Sequence, residues 1–301
     1  MELNRFRGTT VALVTPFTST GAIDERRLRS LVDWQIESGV DVLLAAGTTG
    51  ESATLSHEEH HRVMDIVIEQ AAGRVPVMCG AGSNATHEAI SLTQYAEKAG
   101  ADAVLSVGPY YNRPTQEGFY QHFKAIAEAT SLPVFIYNVP SRTGSNIGAE
   151  TLLRLAELPN VAGVKEASGN FSQIMRILRQ RPEDFLVLSG DDGLTLPVLS
   201  LGGDGVVSVV ANEAPGHAAR MVRAALEGRW EEAGRLHYQL LPLMEANFLE
   251  TNPIPVKAAL WLLGKLDLNY RLPLVPPAES TVEVLRRALA DLGLLEGREW
   301  V

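Results

Sequence analysis

Eight short apolar runs separated by helical patterns predict a (β/α)8 barrel with a small all-helical C-terminal domain. Three observations carry that prediction. The runs are too long and too continuously apolar for half-exposed strands, so they read as parallel strands buried on both faces. Eight strand–helix units in roughly 230 residues match the count and length of such a barrel. After about residue 228 the alternation stops and only helical patterns remain. We therefore divide the chain into a (β/α)8 barrel, 1–228, and a C-terminal helical domain, 229–301. An open doubly wound sheet is the alternative, usually with five or six strands.

The strand candidates are TVALVT (10–15), DVLLAA (41–46), VPVMCG (75–80), AVLSVG (103–108), VFIYN (134–138), AGVKEA (162–167), FLVLSG (185–190) and GVVSVV (205–210). Amphipathic helices are expected over 24–38, 56–72, 85–99 and 115–130, with Gly39, Gly73 and Gly100 as helix stops. The phrases SGVDVLLAAG, AGADAVLSVG and GGDGVVSVV repeat one helix-to-strand joint at irregular spacing. That is the signature of stacked units of one kind, not of a solenoid.

Composition narrows the function. The 301 residues are 46% hydrophobic with a net charge of −10. The negative balance and the absence of a basic cluster argue against nucleic acid. No apolar run reaches the roughly 18 residues of a membrane span, and no secretory signal is visible. The single cysteine, Cys79, suits a reducing cytoplasm. Lysines are few: Lys98, Lys124, Lys165, Lys257 and Lys265. Only Lys165 ends a strand candidate.

In barrels of this kind the active site lies at the C-terminal ends of the strands. That rule gathers Thr48 and Thr49, Tyr110 and Tyr111, Tyr137, Arg142 and Lys165 at one end. A buried lysine loses part of the hydration that favours its charge, so its pKa falls. The neutral amine can attack a ketone and form a Schiff base, which when protonated acts as an electron sink. Tyrosine and threonine hydroxyls can relay the proton released, and an arginine can hold a carboxylate. This chemistry needs neither metal nor cofactor. The bland readings are a lysine that pairs with Glu166, a glycine-rich turn at Thr48 and Thr49, rim packing at Tyr110 and Tyr111, and a solvated charge at Arg142. Adjacent strand residues face opposite ways, so Lys165 and Glu166 make an awkward pair.

Other motifs compete. HEEHH (57–61) matches a zinc-protease pattern, but it opens a charged helix and lacks a third ligand. Ser56 and Glu59 instead form a capping box there. GAGSNA (80–85) resembles a dinucleotide fingerprint, but Asp102 precedes its strand instead of ending it. A barrel lysine can also carry pyridoxal phosphate, yet no phosphate cradle follows strands 7 and 8. A retired barrel serving as sensor or scaffold would have no need to keep every relay hydroxyl.

The blocks GTTGESATL, GPYYNRPTQEG, YNVPSRTG, GVKEASG, SGDD and NPIPVK stand in the order and spacing of the dihydrodipicolinate synthase family, among the class I pyruvate aldolases similar to N-acetylneuraminate lyase. The resemblance runs from GTTVALVTPF to RLPLVPP. It implies condensation of pyruvate with L-aspartate 4-semialdehyde to 4-hydroxy-tetrahydrodipicolinate, on the diaminopimelate route to lysine. It further implies Lys165 as the Schiff-base lysine, Tyr137 as general acid/base, and Thr48 and Tyr111 as a proton relay, Tyr111 entering from a neighbouring subunit. Thr49 would hold the pyruvate carboxylate and Arg142 that of the semialdehyde. Val207 stands where the family often has isoleucine beside the ring-forming site. An inhibitory L-lysine site is implied at Ser52, Ala53, His57, His60, Asn84, Glu88 and Tyr110, and a homotetramer built as a dimer of dimers. Sister aldolases that cleave 2-keto-3-deoxy sugar acids or 4-hydroxy-2-oxoglutarate share the lysine and tyrosine. The second threonine of GTTGE, and Arg142, favour the synthase.

Overall fold

The computed structural model describes residues 2–295; residues 296–301 of the expected helical domain lie outside the described residues. Eight parallel strands close on themselves in sequence order, β1 (Gly8–Ala12), β2 (Val42–Ala45), β3 (Val77–Gly80), β4 (Ala103–Val107), β5 (Val134–Asn138), β6 (Val161–Glu166), β7 (Leu186–Ser189) and β8 (Gly205–Ser208). The seam is β1 against β8, with Gly8 opposite Gly205 and Val11 opposite Ser208. That pairing excludes the open sheet.

The strands are buried along almost their whole length. One set of side chains, including Ala12, Leu44, Leu105, Phe135 and Val207, fills the barrel interior; the other meets the surrounding helices. Leu3 and Phe6, just ahead of β1, join the interior set, and the Phe6 ring meets Phe135 edge-on at 5.4 Å. They plug the N-terminal end, so only the opposite end is open to chemistry.

Three strands depart from the expected runs by two or more residues, β3 by beginning only at Val77. β1 begins at Gly8 and ends at Ala12, two residues ahead of the apolar run. Glycine there permits close approach, because a Cβ on Gly205 would lie 2.1 Å from the Gly8 carbonyl oxygen. Beyond Ala12 the Val14 N–H is met by Asn212 Oδ1 at 3.1 Å instead of by a strand. β8 likewise stops at Ser208, because the Val209 and Val210 N–H groups donate to the Asp192 carboxylate at 2.9 and 2.8 Å. Hydrophobicity marked these residues as buried, but polar caps from elsewhere in the chain decided where pairing ended.

The helices between strands include α1 (Glu25–Glu37), α2 (His57–Ala71), α3 (Thr86–Ala99) and α4 (Gln116–Glu128). Ser56 and Glu59 form the expected capping box at the start of α2. Gly39, Gly73 and Gly100 all have positive φ, the conformation glycine supplies where a helix must stop. A single turn, α5 (Pro140–Thr143), carries Arg142, and α6 (Ala149–Leu155), α7 (Phe171–Gln180), α8 (Thr195–Ser200) and α9 (Pro215–Leu226) complete the ring. α10 (Trp230–Ala246), α11 (Ile254–Leu262) and α12 (Glu279–Asp291) follow. Their buried faces join the outer core of the barrel helices, and the segment between α10 and α11 reaches the open end of the barrel. Among the described residues no helix is long and apolar enough to cross a membrane.

Candidate active site

Lys165 and Tyr137 are direct neighbours across β5 and β6. Residues opposite each other in a parallel pair face the same way, so both point into the barrel mouth. The Lys165 amine sits 4.1 Å from the centre of the Tyr137 ring. Lys165 is 6% exposed, and burial drives its pKa down to about 7, with the nearby Asp192 carboxylate opposing and Arg142 reinforcing the shift. Asp192, held by the Val209 and Val210 N–H groups, keeps the amine from falling further. Burial also pushes the Tyr137 phenol up to about 12, while Arg142 and a hydrogen bond with Thr48 favour the phenolate. The pair is thus a lysine with a substantial neutral fraction near pH 7 and a phenol that retains its proton.

Glu166 does not touch the lysine. It faces the other side of β6 and accepts from Asn138 Nδ2 at 3.0 Å, Gln173 Nε2 at 3.1 Å and the Ser168 N–H at 2.7 Å. That removes the bland pairing of Lys165 with its neighbour. Gly190, at the end of β7, makes room for the lysine: a Cβ there would lie 3.1 Å from Lys165 Cγ and 2.7 Å from the Ala167 Cβ.

Thr48, Thr49, Tyr137 and Lys165 line one cavity, floored by Ala12, Leu44 and Leu105. Thr48 also lines an adjoining outer pocket with Arg142, and Ser52, Ala53, His57, His60, Glu88 and Tyr110 surround that pocket. Asn84 stands behind, its carbonyl accepting from Asn112 Nδ2 at 2.8 Å. Val207 is buried in the barrel interior with Leu188 and Ala162, beneath the cavity instead of on its wall. Tyr111 is 92% exposed at a left-handed φ of 71° and does not reach the cavity of its own chain.

The histidines of HEEHH diverge. His57 Nε2 lies 3.2 Å from Glu88, His60 Nε2 lies 2.7 Å from the Gly80 carbonyl, and His61 stacks on Tyr95 at 3.6 Å. Among the described residues no three potential ligands gather as a metal site.

Sequence reasoning passed over three residues at the mouth. Asn252 Nδ2 donates to Thr49 Oγ1 at 3.0 Å, and Lys257 Nζ meets Glu51 Oε1 at 2.5 Å with both side chains fully buried. Burial raises the Glu51 pKa and lowers that of Lys257, while their mutual attraction opposes both shifts and the rings of Phe17 and Tyr270 flank the amine. The signal was present in GTTGES and NPIPVK, which contain all three.

Comparison with known proteins agrees with this geometry. The model of the dihydrodipicolinate synthetase family matches residues 5–292. The 4-hydroxy-tetrahydrodipicolinate synthase of Nitratidesulfovibrio vulgaris (strain DP4) is 55% identical over 292 residues, covering 97% of this chain and 100% of that protein. A dihydrodipicolinate synthase from Acinetobacter baumannii, chloride-inhibited and complexed with pyruvate, superposes with a TM-score of 0.94 at 45% identity, covering 96% of this chain and 99% of the other. The enzyme from Cyanidioschyzon merolae with lysine bound gives 0.94 at 47% identity, covering 97% and 99%. With a closed barrel, a buried strand-end lysine beside a tyrosine and a match along nearly its whole length, the chain belongs to the dihydrodipicolinate synthetase family.

Proposed function

We infer that this chain is a lyase of the class I aldolase type that condenses pyruvate with L-aspartate 4-semialdehyde to give 4-hydroxy-tetrahydrodipicolinate, in the diaminopimelate route to lysine. The observation that carries the reading is Lys165, held near a pKa of 7 against the ring of Tyr137 at the open end of the barrel. Its neutral amine attacks the pyruvate ketone, water leaves, and a protonated imine forms. The imine withdraws electrons from the adjacent methyl, whose proton is taken by the Tyr137 oxygen as that phenol hands its own proton to Thr48, and the Thr48 proton passes on through Tyr111 of a second copy to water. The resulting enamine carbon attacks the aldehyde. The semialdehyde's own amine then displaces Lys165 and closes the ring.

Thr49 holds the pyruvate carboxylate and Arg142, at the outer pocket, holds that of the semialdehyde. The exposure of Tyr111 supports its role as a relay group delivered to a second copy, within a homotetramer of tight dimers. Val207 supports the floor of the ring-forming site. The outer pocket supports L-lysine as an inhibitor: His57, His60, Glu88 and Tyr110 offer charge and hydrogen bonds to an amino acid, with Ser52, Ala53 and Asn84 around them. The lysine-bound C. merolae relative lends weight to this. We place the enzyme in the cytoplasm and read 229–301 as the helical domain that buttresses the barrel mouth. Cleavage of a 2-keto-3-deoxy sugar acid or of 4-hydroxy-2-oxoglutarate finds no support among the relatives.

The test is to reduce the protein with borohydride in the presence of pyruvate and map the adduct, then to assay condensation with aspartate semialdehyde beside cleavage of keto-deoxy sugars. An adduct on Lys165 and turnover of the semialdehyde are expected. An adduct elsewhere rejects the mechanism; turnover of sugars alone rejects the substrate. Millimolar L-lysine added to the same assay lowers the rate if the outer pocket is the regulatory site.

A further inference from the structure

The loop after β2 carries both threonines of the site, and a segment from the far end of the chain holds it from behind. Glu51 sits at the turn of this loop with a left-handed φ of 56°, its side chain sealed inside. Lys257, on α11, meets it at 2.5 Å, with the Phe17 ring 4.4 Å from the amine. Five residues earlier Asn252 donates to Thr49 Oγ1 at 3.0 Å. The backbone oxygen of Asn252 accepts from Arg142 Nη2 at 3.3 Å. One short stretch, 252–257, therefore grips the threonine loop on either side of Gly50 and touches the arginine as well.

We propose that Lys257, Glu51 and Asn252 are positioning residues that act through Thr48, Thr49 and Arg142. The Asn252 contact has a chemical consequence: by donating to Thr49 Oγ1 it occupies an acceptor site and leaves the hydroxyl proton free to donate to a substrate carboxylate. The Lys257–Glu51 pair sets the height of the loop, and so the approach of Thr48 to the Tyr137 hydroxyl. A displacement of about 1 Å in such a constellation can cost on the order of a hundredfold in rate. Lys165 stands on β6, outside the grip, so the amine itself stays in place when the grip is released.

The inference rests on the Schiff-base reading above, and its test separates the two. The variants are the double substitution Glu51→Gln with Lys257→Met, which leaves no uncompensated buried charge, and Asn252→Ala, which removes one hydrogen bond. Each is titrated with pyruvate and borohydride to count competent Lys165 sites, and kcat and KM are expressed per competent site. The double variant is expected to lose roughly 10- to 100-fold in kcat. Asn252→Ala is expected to raise KM for pyruvate by about tenfold, the value of one hydrogen bond to a charged group. Wild-type kcat and KM per competent site in both variants would overturn the proposal and leave a merely structural pair. If the double variant does not fold, the KM of Asn252→Ala decides. Absence of a Lys165 adduct in the wild type would instead sink the Schiff-base reading.

Discussion

Two lysines are sealed inside this chain, and they differ in what faces them. Lys257 is fully buried against a carboxylate and two aromatic rings. Lys165 is almost as buried, yet among the described residues no carboxylate closes an ion pair with it, and its nearest aromatic face is that of Tyr137. Burial lowers both pKa values. At Lys257 the adjacent Glu51 opposes the effect of burial and ties the amine into a buried pair. At Lys165 only the more distant Asp192 opposes the shift, and the amine settles near 7. Desolvation is the shared cause, and the position of the nearest carboxylate separates an amine with a neutral fraction near pH 7 from one tied into an ion pair.

The comparison can be broken most forcefully at Lys165. Lys165→Ala is expected to reduce condensation by more than about a thousandfold, as removal of a covalent nucleophile generally does, with urea unfolding midpoint unchanged or raised. A residual rate within tenfold of wild type would show that the amine is not the nucleophile. Lys257→Met should do the reverse and act first on stability. It strands the Glu51 carboxylate inside the protein, at a cost of roughly 3–5 kcal/mol read by urea unfolding. Adding Glu51→Gln should recover most of that loss; equal destabilisation of single and double variants would mean that packing, and not charge, is what Lys257 supplies.

A pH series sharpens the contrast further. Attack on pyruvate needs the neutral amine, so kcat/KM for pyruvate should rise with pH through about 7 and level off above it. Stability should follow the same group. The unfolded chain, with an ordinary lysine, binds more protons than the folded one between about 7 and 10.5, so stability rises with pH across that window. Lys165→Met should flatten that rise. The smallest effect is expected from Asp192→Asn, which keeps an acceptor for the Val209 and Val210 N–H groups but removes the charge. The acid limb of the rate profile should move to lower pH; a move upward would contradict the assigned role of Asp192.

Much of this was legible in the linear chain. The eight apolar runs marked the strands to within a few residues, because two-sided burial demands continuous hydrophobicity. Lys165 stood out because a charge at the end of such a run needs a reason. The ends of β1 and β8 were not legible, since Asn212 and Asp192 cap them from sites distant in sequence. The pairing of Asn252 with Thr49 and of Lys257 with Glu51 spans about two hundred residues, and no local periodicity encodes it.

The sequence by itself marked the eight buried strands and set Lys165 at the end of one of them, because both follow from local hydrophobic pattern. Only the tertiary structure decided that a second lysine is sealed inside and which of the two stands against a carboxylate. That depends on the distance from an amine to the nearest carboxylate, and long-range folding alone sets such a distance.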